Sequence, residues 1–327
     1  MISNPLDSVT PSSLTELMEC GHRFALRRRG FERRATSAPI VLGNIAHSVF
    51  ASVLTARPGT DDFQECFLQT WHDAQSHAAH DYKDLGRPES WHRYSIVRRG
   101  TKKVLLRLLC EVADGKITLR IEHEIRGSGE AVWGRPDLLL VDGADCDIVE
   151  LKTGSWPNGV PPLAHIRQVQ LYALIAHRLL GLHVRSGRLE PVDGSPYLVD
   201  VSQRVLEALD IEAKSVIASF NESSQNSELV ANPGVSCVRC PVVADCNVFW
   251  KTSGEGVIGV EGTIVRLQTL NTVQALWVDN GENERLVIGV PVGVGSLNQR
   301  VRIAHLRMIG DSNLQWRSGI STLRQVP

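Results

Sequence analysis

Residues 134 to 154, GRPDLLLVDGADCDIVELKTG, set Asp137, Glu150 and Lys152 among leucines, valines and an isoleucine. Such charges are costly in a core unless they pair or hold a cation. Gly143-Ala144 suits a two-residue type II′ turn, with glycine first, and would pair Asp142 with Asp145. Each cross-strand pair of numbers then sums to 287, which sets Asp137 opposite Glu150. Their Cβ atoms would lie about 4.5–5.5 Å apart. Carboxylates that close repel and raise one another's pKa unless a cation lies between them. Mg2+ and Mn2+, hard ions that prefer oxygen ligands, would resolve the conflict. Glu150 and Lys152, two apart on a strand, share a face. The ammonium therefore stands where it can orient a water or steady developing negative charge. A solvated hairpin with a cross-strand charge cluster would use the same residues.

The surrounding elements must hold these groups. Residues 10 to 29 read as a helix, with Thr10 before Pro11, capping-box spacing from Ser13 to Glu16, and an end or bend at Cys20-Gly21. A second helix covers about 40 to 56 and contains His47. Residues 61 to 113 are helical in pattern, broken by GRPES, and read as an inserted arm or lid. From 116 the period changes to two, through KITLRIEHEIRG, AVWGRPDLLLV and CDIVELK. An amphipathic helix at 165 to 183, a strand at SPYLVDVS and a helix at 202 to 219 complete an α/β core with a central mixed sheet flanked by helices. Residues 257 to 327 hold five strand candidates between Gly and Asn turns and read as a small, OB-like β-barrel.

Seven cysteines are an odd number for a disulfide framework. Cys66, Cys110 and Cys146 are isolated and read as buried small hydrophobes. Cys237, Cys240 and Cys246 form C-x2-C-x5-C. The chain is 327 residues long, 43% hydrophobic and 22% charged with net charge −1, within the globular range. No continuous apolar run reaches a membrane span and no signal pattern opens the sequence, so a cytoplasmic location without membrane contact is expected. Charge is uneven: 23 to 34 holds six arginines (Arg23, Arg27, Arg28, Arg29, Arg33 and Arg34), and 98 to 107 adds five basic residues including Lys102 and Lys103. Such tracts are either solvated helix faces or surfaces for a phosphate backbone.

G-x-x-D followed by E-x-K across a hairpin, here GRPD and VELK, resembles the motif of the PD-(D/E)XK nucleases. Gln168 and Tyr172, as Q-x-x-x-Y, and Gly43 with His47, as G-x-x-x-H, resemble the added motifs of the RecB-type subgroup, in the same chain order. The resemblance implies a restriction-endonuclease-like core. His47, Asp137, Glu150 and the Leu151 carbonyl would hold Mg2+ or Mn2+, Lys152 would be the catalytic lysine, and Gln168 and Tyr172 would position the DNA or the lysine. Glu122 resembles a glutamate of the preceding strand, with Glu124 competing. Cys20 with Cys237, Cys240 and Cys246 resembles the split cluster of iron-sulfur RecB-type nucleases, which include CRISPR-associated exonucleases and the AddB nuclease domain. A 4Fe-4S cluster or a four-cysteine zinc site would use the same thiolates.

These features predict a RecB-type nuclease domain over 1–250, with 61–113 as its helical insertion, and a β-domain over 257–327. The expected activity is metal-dependent hydrolysis of DNA, exonucleolytic on single-stranded or unwound strands, in repair, CRISPR function or phage defence. No G-x-x-x-x-G-K-[ST] occurs, so unwinding would fall to a helicase or defence-complex partner, or to a pre-opened substrate. The alternatives are a non-catalytic nucleic-acid-binding subunit of a helicase-nuclease complex, a restriction-type endonuclease, and a zinc-stapled adaptor.

Overall fold

Thr10 opens the first helix, α1 (Pro11–Glu19): its Oγ1 accepts the Ser13 N–H at 3.3 Å, so Thr10 rather than Ser13 is the cap. Cys20 is extended and caps α2 (Gly21–Arg28), its sulfur accepting the Arg23 N–H at 3.4 Å. The expected bend is therefore a full break with a thiol at the joint. The computed structural model describes residues 5–30, 37–226, 231–252, 256–310, 313–318 and 320–326. It divides into two compact units, one of Asn4–Met18 with Thr36–Gln225, the other of Glu19–Ala35 with Asn226–Pro327. The expected boundary between 250 and 257 runs inside the second unit.

In the first unit, α3 (Ala38–Ala56), α4 (Phe63–Asp81) and α5 (Tyr94–Glu111) pack on one face of a five-stranded sheet. Two short 3-10 turns, Lys83–Leu85 and Pro88–Ser90, fill the break at GRPES. The helix α3 is long and apolar enough to cross a membrane by composition. Val41, Leu42, Ile45, Val49, Phe50 and Val53 recur at helical spacing and are buried, so this face belongs to the core.

The sheet comprises β1 (Thr118–Ile121), β2 (Leu138–Asp142), β3 (Asp145–Lys152), β4 (His183–Pro191) and β5 (Tyr197–Val199), in that order. All neighbours are antiparallel except β3 and β4. Parallel neighbours need a crossover, and α6 (Leu163–Leu180) supplies it. Strand β4 was absent from the sequence expectation. The predicted strand from 116 keeps its pairing only to Ile121, after which Glu122 takes φ 45° and the chain leaves the ladder, with one further bridge from Ile125 to Gly134. The helix α7 (Gln203–Asn226) ends the unit. Leu138, Leu140, Val149 and Leu151 face the helical core. Alternation turns Leu139, Ile148 and Glu150 to the opposite face.

The second unit contains α2, 3-10 turns at Val235–Arg239 and Val243–Asp245, α8 (Asn247–Lys251) and a seven-stranded sheet. Its strands are β6 (Val260–Leu270), β7 (Val273–Asp279), β8 (Glu284–Pro291), β9 (Arg300–Ala304), β10 (Arg307–Ile309), β11 (Asn313–Gln315) and β12 (Thr322–Gln325). They run in the order β10-β11-β8-β7-β6-β9-β12. His305, at φ 59°, divides the expected strand QRVRIAHLRMI into β9 and β10. Among the described residues β10 and β12 do not pair, so closure into the expected OB-like barrel is not seen.

Candidate active site

The hairpin pairs Asp142 with Asp145 and Leu138 with Val149, in the register that the turn count requires. Gly143 has φ 62°, as the first position of a type II′ turn needs. One step beyond the last ladder pair, Asp137 and Glu150 interlock through the backbone. The Asp137 N–H donates to Glu150 Oε1 at 3.0 Å, and the Leu151 N–H donates to Asp137 Oδ2 at 2.8 Å. From α3, His47 Nδ1 lies 3.0 Å from Asp137 Oδ1. Lys152 Nζ donates to Glu150 Oε2 at 3.0 Å and to Gln168 Oε1 at 2.9 Å. Gln168 Nε2 in turn lies 3.4 Å from the Tyr172 hydroxyl. All six expected groups thus form one hydrogen-bonded chain across α3, the hairpin and α6.

Two glycines let the elements close on this chain. A Cβ at Gly134 would stand 2.7 Å from Tyr172 Cε1, and one at Gly43 would stand 3.2 Å from Thr153 Oγ1. The glycines of G-x-x-D and G-x-x-x-H therefore have steric roles, admitting the Tyr172 ring and drawing α3 against the chain beyond Lys152. Arg93, which the sequence did not single out, holds that same segment. It takes φ 67° and donates to the Thr153 carbonyl at 3.4 Å and to Asp193 Oδ2 at 2.6 Å. A lone arginine in a basic, helical tract carries no motif that could have revealed it.

The electrostatics express the crowding. Glu150, 2% exposed, is pushed up to about 7 by burial first and by the charge of Asp137 second, against the pull of Lys152. Burial alone would lower the His47 imidazole, but its hydrogen bond to Asp137 and the charges of Asp137 and Glu150 hold it above its usual value. Burial, with the Glu150 charge, also raises the Tyr172 phenol, which stays a hydroxyl at neutral pH. An imidazole and two carboxylates, one buried and incompletely balanced, make a donor set that fits a hard divalent cation. Among the described residues, however, no three His, Cys, Asp or Glu side chains stand as a ready coordination set. His47 and Asp137 bond each other, and Glu150 bonds Lys152. An incoming ion would displace the bond between His47 and Asp137.

The other expected residues divide. Glu122 and Glu124 are exposed and pair with Arg135 at 3.9 Å and Arg126 at 3.2 Å. Arg23 is buried and bonded to Glu19 at 2.5 Å, which removes it from the expected strand-binding surface. Arg27, Arg28 and Arg29 are exposed on and just after α2; Arg33 and Arg34 lie outside the described residues. On α5, Lys103 is exposed while Lys102 bonds Gln64. The expected basic tracts thus belong to different units.

Cys20, Cys237, Cys240 and Cys246 line one small cavity of the second unit with His22, Pro233 and Val243. None is in a disulfide. The sulfurs of Cys20, Cys237 and Cys246 accept backbone N–H groups at 3.4, 3.4 and 3.5 Å. Burial pushes the Cys240 thiol up to about 12 and raises Cys246 as well. Four thiols on one cavity suit a soft-ligand metal centre in kind, although they too form no ready coordination set. Of the isolated cysteines, Cys146 is buried as expected, Cys66 is half-buried, and Cys110 is exposed.

The model of the PD-(D/E)XK nuclease superfamily matches residues 8–247. No curated protein matches the chain. Two solved structures resemble it at low similarity. SSO0001 shares 15% identity with a TM-score of 0.34, over 75% of this chain and 88% of its own. A protein from Eubacterium rectale named "Putative exonuclease" shares 12% identity with a TM-score of 0.44, over 69% and 84%.

Proposed function

Because the chain belongs to the PD-(D/E)XK nuclease superfamily, we propose that it is a RecB-type, Mg2+- or Mn2+-dependent deoxyribonuclease acting exonucleolytically on single-stranded or unwound DNA. The observation that carries this reading is the unbroken hydrogen-bonded chain from His47 through Asp137, Glu150, Lys152 and Gln168 to Tyr172. A structural charge cluster has no need of a lysine held between a buried carboxylate and a glutamine.

In this mechanism His47, Asp137, Glu150 and the Leu151 carbonyl would hold the metal. When bound, the ion polarises the scissile phosphate and lowers the pKa of a water. Glu150 Oε2 and Gln168 Oε1 fix the Lys152 ammonium at two points, which leaves one N–H that would serve the attacking water or the phosphate oxygen. Tyr172 supports Gln168 from behind, while Gly43 and Gly134 keep the surrounding elements close enough for this. Lys102 and Lys103, in the unit that holds the site, would track the DNA backbone, and Arg27, Arg28 and Arg29 would offer a separate basic patch to it. Residues 1–250 carry the nuclease functions and 257–327 form an accessory β-domain.

The cysteine group would hold a 4Fe-4S cluster, with zinc as the alternative, acting as a structural staple. The common cavity and the three N–H···S bonds support it. Anaerobically purified protein should then show visible sulfur-to-iron absorption; a colourless, zinc-loaded protein would select the alternative. Seven free thiols suit a reducing cytoplasm, and a DNA repair, CRISPR or phage-defence setting with a helicase partner would supply the opened strand.

The test of catalysis is degradation of end-labelled single-stranded and duplex DNA with Mn2+ by wild type and Lys152→Ala. The variant should be slower by about 10²–10⁴-fold, with a near-normal melting curve. Equal degradation by both proteins, or by neither, removes the catalytic assignment.

A further inference from the structure

The sheet face that carries Glu150 continues into an aromatic group outside the proposed metal and lysine machinery. Register sets Glu150 beside Leu189, and Leu189 beside Tyr197. Paired residues of neighbouring strands project to the same side, so Glu150, Leu189 and Tyr197 form a row across β3, β4 and β5. On α6, His165, Gln168 and Tyr172 follow at i, i+3 and i+7, on one helical face. His165 therefore extends toward the helix start the line that Gln168 and Tyr172 make beside Lys152. Trp156, four residues after Lys152, joins the two. Its ring lies 6.3 Å from the His165 ring, tilted by 52°, and 6.5 Å from the Tyr197 ring, edge-on at 86°.

This group has features that core packing does not explain. All three rings are only partly buried. Trp156 Nε1 and His165 Nδ1 are shielded from water yet have no hydrogen-bond partner among the described residues. Unmade bonds of that kind cost stability. Burial, followed by the Lys152 charge, lowers His165 to about 4. The imidazole is then neutral at physiological pH and offers one N–H and one lone pair. Partly exposed flat rings suit stacking by a planar ligand, and the two unpartnered nitrogens can gain bonds when the rings part to admit it. Beside a site for phosphodiester chemistry, that ligand is a nucleobase.

We infer that Trp156, His165 and Tyr197 form a base-stacking subsite for the nucleotide whose phosphate is presented to Lys152. The inference rests on the nuclease reading of that lysine. Its consequence is substrate selection: a base inside a duplex has both faces covered, so only an unpaired or extruded base can enter. The preference for single strands then arises in the active site itself.

The test compares cleavage of oligo-dT with cleavage of an equally long oligonucleotide of abasic tetrahydrofuran units, which keeps the phosphates and removes the bases. Wild type, Trp156→Ala and Trp156→Phe full-length proteins are assayed with Mn2+, and melting curves confirm folding. Wild type should prefer oligo-dT by about 5- to 100-fold in kcat/KM. In Trp156→Ala the kcat/KM on oligo-dT should fall toward the value on the abasic strand, so that the preference is lost, and Trp156→Phe should keep most of it. Equal cleavage of both substrates by wild type overturns the subsite but leaves the nuclease. So does an equal loss on both substrates in Trp156→Ala. If Trp156→Ala does not fold, the wild-type ratio and Trp156→Phe still decide. Cleavage of neither substrate by folded wild type overturns the nuclease reading and the subsite together.

Discussion

Glu150 carries the sharpest consequence at the scale of single residues. Its carboxyl rises from 4.5 toward about 7 on folding without metal. The native state then binds more protons than the unfolded chain between those values, so stability falls as pH rises through that window. His47 acts in the same direction, since a raised imidazole contributes stability that is lost as pH rises through its folded pKa. Metal-free protein should therefore melt at a lower temperature at pH 8 than at pH 5.5, with an upper bound of about 2 kcal/mol from Glu150 over that range. Glu150→Gln should flatten the profile. Added Mg2+ should raise the melting temperature more at pH 8, where the ion no longer competes with a proton. Fluorimetric melts across pH, with EDTA or Mg2+, measure all of this; a flat profile for metal-free wild type would contradict the assignment.

At the scale of elements, the close approach of α5 to Val192, the residue that follows β4, is the most sensitive contact. A Cβ at Gly100 would lie 1.8 Å from the Val192 carbonyl oxygen, a backbone atom that no rotamer change can move. Gly100→Ala should cost about 3 kcal/mol or more. Gly154→Ala, with nothing within 4 Å and no positive φ, should cost much less. Denaturant midpoints for the two variants check the contrast. The same strand shows where the sequence was illegible. HVRSGRLEP carries two arginines, a glycine and a proline, and lacks the apolar alternation that revealed the hairpin. It is nevertheless the parallel neighbour of β3, because its charges are neutralised locally. Arg185 pairs with Asp147 at 2.6 Å, Arg188 with Glu111 at 3.0 Å, and the fully buried Glu190 with Arg107 and Arg188. Such compensation is tertiary and leaves no trace in local spacing. The hairpin was legible because a two-residue turn fixes its register without tertiary help. The aromatic subsite was not, since Tyr197 is carried to Trp156 only through that unseen strand.

For the whole molecule, the cysteines that the sequence grouped with residues 1–250 fall in the compact unit that also holds the C-terminal sheet. His305 Nε2 lies 2.8 Å from the Cys240 carbonyl, and Arg324 bonds Asp245 at 3.0 Å. Cys240→Ser should therefore loosen residues 226–327 before it affects 36–225. Limited proteolysis mapped by mass spectrometry should show early cuts in the former range only. Cuts that appear together in both ranges would mean that the thiols hold the chain as one piece.

That chain order also has a consequence in time. Cys20 leaves the ribosome more than two hundred residues ahead of Cys237, Cys240 and Cys246. At about 5–20 residues per second, the first thiol waits tens of seconds for the other three. During that interval it belongs to a short helix whose packing partners have not been made. The unit that closes last is therefore the one whose first piece is exposed earliest, and its thiol stays open to oxidation until the other three arrive.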